Sequence, residues 1–166
     1  MSRGLQLSVA CLAAAWAVMI PNTLRAQESK DLKIIASLDN WTVPIRLKKE
    51  DSGVVIRNAE ELVAHSSKPG SAKDPVAQKK MESELWKLLK VDGIDWSKQM
   101  ILVVTGHRAG YALIKFDSLK IEGKILTVTW KQEERPTLGS TVPSGLVIVE
   151  RFDGEVKFVP FAKKKG

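Results

Sequence analysis

The chain has 166 residues, of which 26 are Lys or Arg and 19 are Asp or Glu, so its formal net charge is +7. Its 44% of hydrophobic residues is the composition of a globular protein of one domain, which excludes a disordered tail and a collagen-like fibre. A single Cys excludes an internal disulfide, and one Cys with two His excludes a structural zinc site built from these residue types.

The first 26 residues have the pattern of a secretory signal peptide. Arg3 precedes an uncharged apolar run at 7–20, and the small residue Ala26 closes the segment. The apolar run is shorter than the roughly 20 residues that a membrane-spanning helix needs. We therefore predict cleavage near Ala26 and an exported protein, periplasmic or extracellular. Two alternatives stay open: an uncleaved N-terminal anchor, and a lipoprotein attached at Cys11.

Removal of this segment leaves residues 27–166, which we predict to form a single domain with a basic tail at 163–166. These residues keep 24 basic and 19 acidic side chains, a net charge of +5, and contain no Cys. A basic surface favours acidic partners. We expect no nucleic-acid binding, because an exported chain without an aromatic-rich basic motif lacks the usual footprint. We also expect no membrane span after signal removal.

The first half of this domain is predicted to hold three short strands, at 32–38, 41–47 and 53–57. Pro44 confines the second strand to an edge or a bend, because proline has no backbone N–H to donate to a ladder. A polar loop containing Pro and Gly is predicted at 66–74, between two helices.

The two predicted helices have recognisable starts. Asn58 can cap a short helix at 59–65, because its side chain accepts a backbone N–H bond and Glu61 completes a capping box. Asp74-Pro75 starts a second helix that runs to about Lys90. Apolar residues at helical spacing define its predicted buried face: Ala77, Met81, Leu85, Leu88 and Leu89.

The second half is predicted to be β-rich. Continuous apolar runs at 100–104 and 146–149 indicate strands buried on both faces, and 125–130 alternates in the manner of a strand with one buried face. Further strands are predicted at 111–116 and 119–121, and Asp153-Gly154 is predicted to turn a hairpin between 149–152 and 156–159. The order indicates an α+β fold with a mostly antiparallel β-sheet or partly closed sandwich, and with two helices in the middle of the chain.

Few residues offer catalytic chemistry. The sequence contains no H-E-x-x-H, P-loop or G-x-G-x-x-G motif, and Ser144 lacks the spacing of a nucleophile elbow. His65 lies at a helix end, where it can meet unpaired carbonyls. His107 lies in a loop bounded by Gly106 and Gly110, but no Asp or Glu is close to it in sequence to orient its ring.

Two irregular loops, at 106–111 and 135–144, follow predicted buried strands and contain glycine. Loops held on a rigid sheet are common binding sites. The candidate partner-binding residues on them are His107, Arg108, Tyr111, Arg135 and Thr137. The sequence predicts no catalytic residue, no metal site and no cofactor.

Several segments follow one another in a recognisable order over residues 54–152. They are 55–62 (VIRNAEEL), 84–86 (ELW), 94–104 (IDWSKQMILVV), 106–114 (GHRAGYALI), 123–130 (GKILTVTW) and a strand at 143–149. This order resembles the PrcB-like domain family, named for a subunit of a bacterial surface protease complex. The chain departs from the family at Ala109-Gly110, where two glycines are usual, and in a signal peptide predicted to be cleaved, since the founding subunit is a lipoprotein.

The resemblance implies an accessory role without catalysis, namely binding and stabilising an exported protease or another envelope protein, and it carries over no catalytic residues. The leading prediction is therefore a non-enzymatic exported binding domain. The alternatives are an exported hydrolase or metal-dependent enzyme that uses His107, and a small protease inhibitor that inserts its loops into a cleft.

Overall fold

The computed structural model describes residues 29–39, 45, 52–65, 75–109, 111–135 and 142–161. The predicted signal peptide with Cys11, the loop at 66–74, the strand at 41–47 apart from Ile45, Thr137 and the basic tail lie outside the described residues. The elements in chain order are β1 (Lys30–Asp31), β2 (Ile34–Leu38), β3 (Ser52–Ile56), α1 (Ala59–Ala64), α2 (Pro75–Leu89), β4 (Gln99–Thr105), β5 (Tyr111–Glu122), β6 (Ile125–Arg135), β7 (Ser144–Glu150) and β8 (Glu155–Pro160).

The strands form two four-stranded sheets. The first, called the outer sheet, has the order β1-β5-β6-β8, and the second, called the inner sheet, has the order β2-β7-β4-β3. Neighbouring strands are antiparallel except β6 and β8, which are parallel. The predicted α+β fold with a mostly antiparallel sandwich is confirmed.

The inner sheet lies between the outer sheet and the two helices. Along β4, Met100 and Leu102 belong to the cluster shared with the outer sheet, whereas Ile101 and Val103 pack with residues of α1 and α2. Successive side chains of a strand point to opposite faces, so a strand covered on both faces must be apolar throughout. The same holds for β7, in which all residues from Ser144 to Val149 are buried. Both predicted doubly buried strands are confirmed.

Helix α1 begins as predicted. The backbone N–H of Glu61 donates to Oδ1 of Asn58 at 2.8 Å, and Nδ2 of Asn58 donates to Oε1 of Glu61 at 2.9 Å. Oε2 of Glu61 also accepts from the backbone N–H of Arg57 at 2.6 Å. The capping box satisfies N–H groups that have no partner within the first turn.

Helix α2 buries a narrower face than predicted. Leu85 and Leu89 are buried and Met81 is partly buried, but Leu88 is 47% exposed, so its place on the buried face was wrong. Residues spaced by four form one stripe against a flat sheet, and Leu88 lies on the flank of that stripe. The helix ends at Leu89, and Lys90 takes a left-handed conformation at φ 56°.

The predicted hairpin at Asp153-Gly154 was wrong. β7 lies in the inner sheet and β8 in the outer sheet, where β8 pairs in parallel with β6. The turn therefore carries the chain from one sheet to the other, because the apolar faces of both strands have to reach the space between the sheets. Gly154 is required at this corner, since a Cβ there would lie 2.3 Å from the carbonyl oxygen of Lys124.

The two segments predicted at 111–116 and 119–121 form the single strand β5. The pairing register with β6 shifts between Phe116 and Ser118, which marks a β-bulge at Asp117. The bulge restores the inward direction of the apolar side chains after one extra residue. β5 thus keeps Ile114 and Leu119 buried on the same face.

Candidate functional site

The structure brings the roots of the two predicted binding loops together. Tyr111, the first residue of β5, pairs with Arg135, the last residue of β6. Thr105 at the end of β4 pairs with Ser144 at the start of β7, and the backbone N–H of Gly106 donates to the carbonyl of Pro143 at 2.9 Å. We call this end of the sandwich, where β4 and β6 finish and β5 and β7 begin, the loop end.

A cleft of about 660 Å³ opens at the loop end. It is lined by residues 130–134 of β6, by His107 from the first loop, and by Pro160 and Phe161 at the end of β8. Phe161 is 56% exposed, so an aromatic ring stands at the rim. Clefts with apolar walls and a few polar groups are the usual places where proteins bind ligands and partner segments.

His107 meets a carboxylate that no short-range sequence pattern predicts. Its Nε2 lies 3.5 Å from Oε1 of Glu134 and 3.4 Å from Nε2 of Gln132. The side chains of His107 and Glu134 are 53% and 57% exposed, so this ion pair is weak and water competes for both partners. The pair can hold the ring loosely in the cleft, but it is not a tightly oriented acid–base pair.

The structure places the other candidate residues outside any catalytic arrangement that the described residues show. Ser144 is a buried strand residue, and its hydroxyl lies 3.3 Å from that of Thr105. Arg108 is exposed on the first loop. The backbones of Tyr111 and Arg135 meet across the β5–β6 ladder, while their side chains and all of Thr137 lie outside the described structure. Among the residues described, no three His, Cys, Asp or Glu cluster in a way that could hold a metal ion.

Two polar atoms are buried at the cleft without a hydrogen-bond partner in the described part of the chain. They are the indole Nε1 of Trp130, a residue only 2% exposed, and Oε1 of Gln132. Oε1 of Gln132 packs over Gly106, where a Cβ would lie 2.2 Å from it. Most buried polar groups are satisfied in native proteins, and each unsatisfied one costs free energy, so these two atoms weaken the packing beneath the cleft.

On the outer face beside the cleft, two lysines pair with one glutamate. Glu133 lies between the ammonium groups of Lys115 at 2.7 Å and Lys131 at 3.2 Å. These hydrogen bonds hold the pKa of Glu133 below its ordinary value. Since Glu133 faces the lysines and Glu134 faces His107, the two adjacent acids point apart, as neighbouring residues of a strand do.

A smaller cleft of about 150 Å³ lies beside the first one, between β2 and β5. Asp39 lines it together with Lys115. Burial raises the pKa of Asp39, the charge of Lys115 opposes this rise, and the charge of Glu133 adds to it. The carboxyl of Asp39 therefore keeps its proton to a higher pH than usual, although the residue as a whole is exposed.

The residues that line the large cleft were missed by the sequence analysis for an identifiable reason. The alternation of Leu126, Val128 and Trp130 was predicted only up to Trp130, but the strand continues to Arg135. Gln132 and Glu134 follow on the same parity as the buried residues. When polar residues continue the spacing of inward-facing apolar residues along a strand, they indicate a cleft such as this one.

No family model, no curated protein and no solved structure matches the chain. The resemblance to PrcB-like domains therefore stays a prediction. No helix in the described parts of the chain is both long enough and apolar enough to cross a membrane.

Proposed function

We propose that this protein is a non-enzymatic exported binding domain that contacts its partner at the loop end, as an accessory or stabilising subunit for a protease or another envelope protein. The observation that carries the proposal is the cleft between His107 and Phe161, which has an exposed aromatic ring at its rim. The role as a protease subunit rests on the resemblance to PrcB-like domains. The binding role rests on the cleft.

The contacts of the cleft favour binding over catalysis. Acyl transfer needs a nucleophile and a base in hydrogen-bond contact, with the base held by a third group. The hydroxyl of Ser144 is buried against that of Thr105, and the Glu134 that faces His107 is exposed at 3.5 Å. A second candidate, a hydrolase using His107 as base, is supported by this His–Glu pair alone.

A capture experiment with paired variants tests the proposal. The tagged full chain is expressed in its native envelope, cross-linked, and its partner identified and then purified for a titration. We expect Arg108→Glu to weaken partner binding, because it reverses a charge on a basic surface, and His107→Gln to leave it nearly unchanged. Both variants must first show the melting curve of the wild type.

The same variants separate the alternatives. Loss of a measurable turnover in His107→Gln, with no effect of Arg108→Glu on binding, replaces the binding proposal by the hydrolase. Inhibition of a purified protease by the wild-type chain favours the inhibitor. An increased lifetime of the captured protease in the presence of the chain supports the stabilising subunit.

Export is part of the proposal and has its own measurement. Mass spectrometry of the protein recovered outside the cytoplasm should give a chain that begins near Gln27, because the preceding segment has the pattern of a cleaved signal. An intact Met1 on exported material contradicts cleavage. Lipid mass on Cys11 identifies the lipoprotein instead.

A further inference from the structure

We propose that the partner contributes an extended segment with a Lys or Arg side chain, and that this segment joins the outer sheet as a strand along residues 131–135 of β6. The inference deepens the proposed function and rests on it. It names the mode of contact, backbone pairing at a sheet edge, and the charge that the segment carries next to Glu134.

The ladder between β6 and β8 stops before β6 does. The last paired residues are Trp130 and Pro160, whereas β6 continues to Arg135. Among the described residues, only Phe161 extends beyond the ladder on that side. Five residues of a strand span about 16 Å, which is enough for a partner segment of four or five residues.

The direction of the backbone groups on this edge follows from one hydrogen bond. The N–H of Phe161 donates to the carbonyl of Trp130 at 2.5 Å, so the backbone groups of Trp130 point toward β8. Every second residue of a strand points its N–H and C=O to the same side, and β6 has no bulge between Trp130 and Arg135. The backbone N–H and C=O of Gln132 and Glu134 therefore face the side of β6 on which, among the described residues, no strand continues beyond Pro160.

Unpaired strand edges bind other chains, because a row of N–H and C=O groups is a template for a further strand. Proteins usually block such edges. Here the cleft runs along the edge instead, beside the backbone groups of Gln132 and Glu134. A polypeptide brings both donors and acceptors at regular spacing, which an apolar ligand does not.

Charge selects the side chain of the added strand. On the inward parity, Glu134 is 57% exposed and the group shown facing it is the imidazole of His107. On the outward parity, Glu133 is already paired with Lys115 and Lys131. An ammonium or guanidinium group on the partner therefore finds its complement at Glu134 and not at Glu133.

The probe for the test is a fluorescein-labelled peptide, TVTKTVTV, titrated by anisotropy against the full exported chain. It is compared with the same peptide N-methylated at alternate backbone nitrogens and with a form that has Glu in place of Lys. We expect the N-methylated peptide to bind about tenfold more weakly, because it cannot donate to the edge. The Glu form should also bind more weakly, and Glu134→Gln should remove most of the difference between Lys and Glu forms.

A variant of the protein gives the matching control. Glu134→Pro removes a backbone N–H that faces the edge and leaves the β5–β6 ladder intact, so it should abolish peptide binding with little change in melting temperature. Equal binding of the plain and N-methylated peptides overturns the proposal. Binding seen only after the chain is truncated behind Phe161 also overturns it, because residues 162–166 would then be the occupant of the edge.

The captured partner separates this inference from the proposed function. If Arg108→Glu weakens partner binding and Glu134→Pro does not, the binding function stands and strand addition is wrong. If neither substitution changes partner binding, the loop end is not the contact surface and both fail. Loss of partner binding in Glu134→Pro, with the melting curve retained, supports both.

Discussion

The two ends of the sandwich differ in how completely their polar groups are hydrogen-bonded. At the end away from the loops, Arg151 binds four partners at once: its Nε donates to Asp153 at 2.9 Å, its Nη1 to the carbonyls of Trp96 at 2.6 Å and Arg57 at 3.4 Å, and its backbone N–H to the carbonyl of Lys98 at 2.7 Å. At the loop end, Trp130 and Gln132 keep buried polar atoms for which the described residues offer no partner.

The Asp95 turn repeats the contrast. Oδ1 of Asp95 accepts from the backbone N–H of Ser97 at 3.0 Å and from its hydroxyl at 2.5 Å, and its backbone carbonyl accepts from Lys98 and Gln99. These bonds fix the chain just before β4. Satisfied polar networks hold structure, whereas unsatisfied buried groups cost free energy, so the described hydrogen bonds give the end away from the loops the stronger polar support.

The largest effect is expected in the scaffold that both ends share. Leu85→Ala should lower the free energy of unfolding by about 2–5 kcal/mol, because Leu85 is fully buried between α2 and the inner sheet. Leu88→Ala, the same change on the exposed flank of the same helix, should cost less than about 0.5 kcal/mol. Chemical denaturation measures both, and equal midpoints would mean that the buried face of α2 is misassigned.

Glycine substitutions compare the rigidity of the two ends. Gly154→Ala should cost about 1–3 kcal/mol, because its Cβ meets the backbone carbonyl of Lys124 at 2.3 Å. Gly106→Ala should cost less, because its Cβ meets the far end of the Gln132 side chain, which can move aside. Thermal melts of both variants test the order, and a larger loss in Gly106→Ala would show that the loop end is as tightly built as the other.

Substitutions of polar residues test the same comparison between the two ends, with smaller expected losses of stability. Arg151→Gln should destabilise the fold by about 1–2 kcal/mol, because it leaves carbonyl acceptors of Trp96 and Arg57 without a charged donor. His107→Gln should change stability by less than about 0.5 kcal/mol, because its ring is half exposed. Urea titrations of the two variants measure these losses of stability. Similar losses would show that the two ends do not differ.

Acid should act with opposite signs on the two ends, and this is the smallest expected effect. Hydrogen bonds from Ser97 lower the pKa of Asp95, so its stabilisation is present above the ordinary value of 3.8 and is lost as the pH falls below it. Burial raises the pKa of Asp39. The contribution of its protonated carboxyl to stability is therefore present below pH 3.8 and is lost as the pH rises through the raised pKa.

Melting curves from pH 7 to pH 3 of two Asn variants check these signs. Asp95→Asn should approach the stability of the wild type as the pH falls, because the wild type loses the contribution of its carboxylate. Asp39→Asn should be most favourable relative to the wild type at pH 7, where the wild type carries a poorly solvated charge. Parallel pH profiles for both variants and the wild type would contradict these assignments.

Local patterns predicted the elements better than they predicted their partners. The apolar run at Met100–Val104 indicated burial on both faces, and the Asn58–Glu61 pair indicated a helix start, because both signals act within a few residues. The burial of Leu88 was predicted wrongly, since the width of the buried face of a helix depends on the surface against which the helix packs. The Asp153-Gly154 turn was read as a hairpin because the sequence records a reversal of the chain but not the sheet that the next strand joins.

The cleft could not be predicted for the same reason. It exists because β8 pairs in parallel with β6 and stops at Pro160, while β6 continues to Arg135. This depends on a register between strands that are distant along the chain, and no turn residue specifies it. The two loops could be predicted because glycine and irregular composition are signals within a few residues. Their proximity could not, because it depends on the pairing of Tyr111 with Arg135.

The parallel pairing of β8 also sets the order in which the chain can close. A ribosome delivers β6 before β8, and β8 is the last of the described strands, so β6 has an open edge along its whole length until the final residues emerge. Parallel pairs need long connections, and their closure is entropically late in folding. A nascent chain is therefore exposed to intermolecular pairing at β6 during this interval, and a chaperone would protect it best if it bound near Ile125–Arg135.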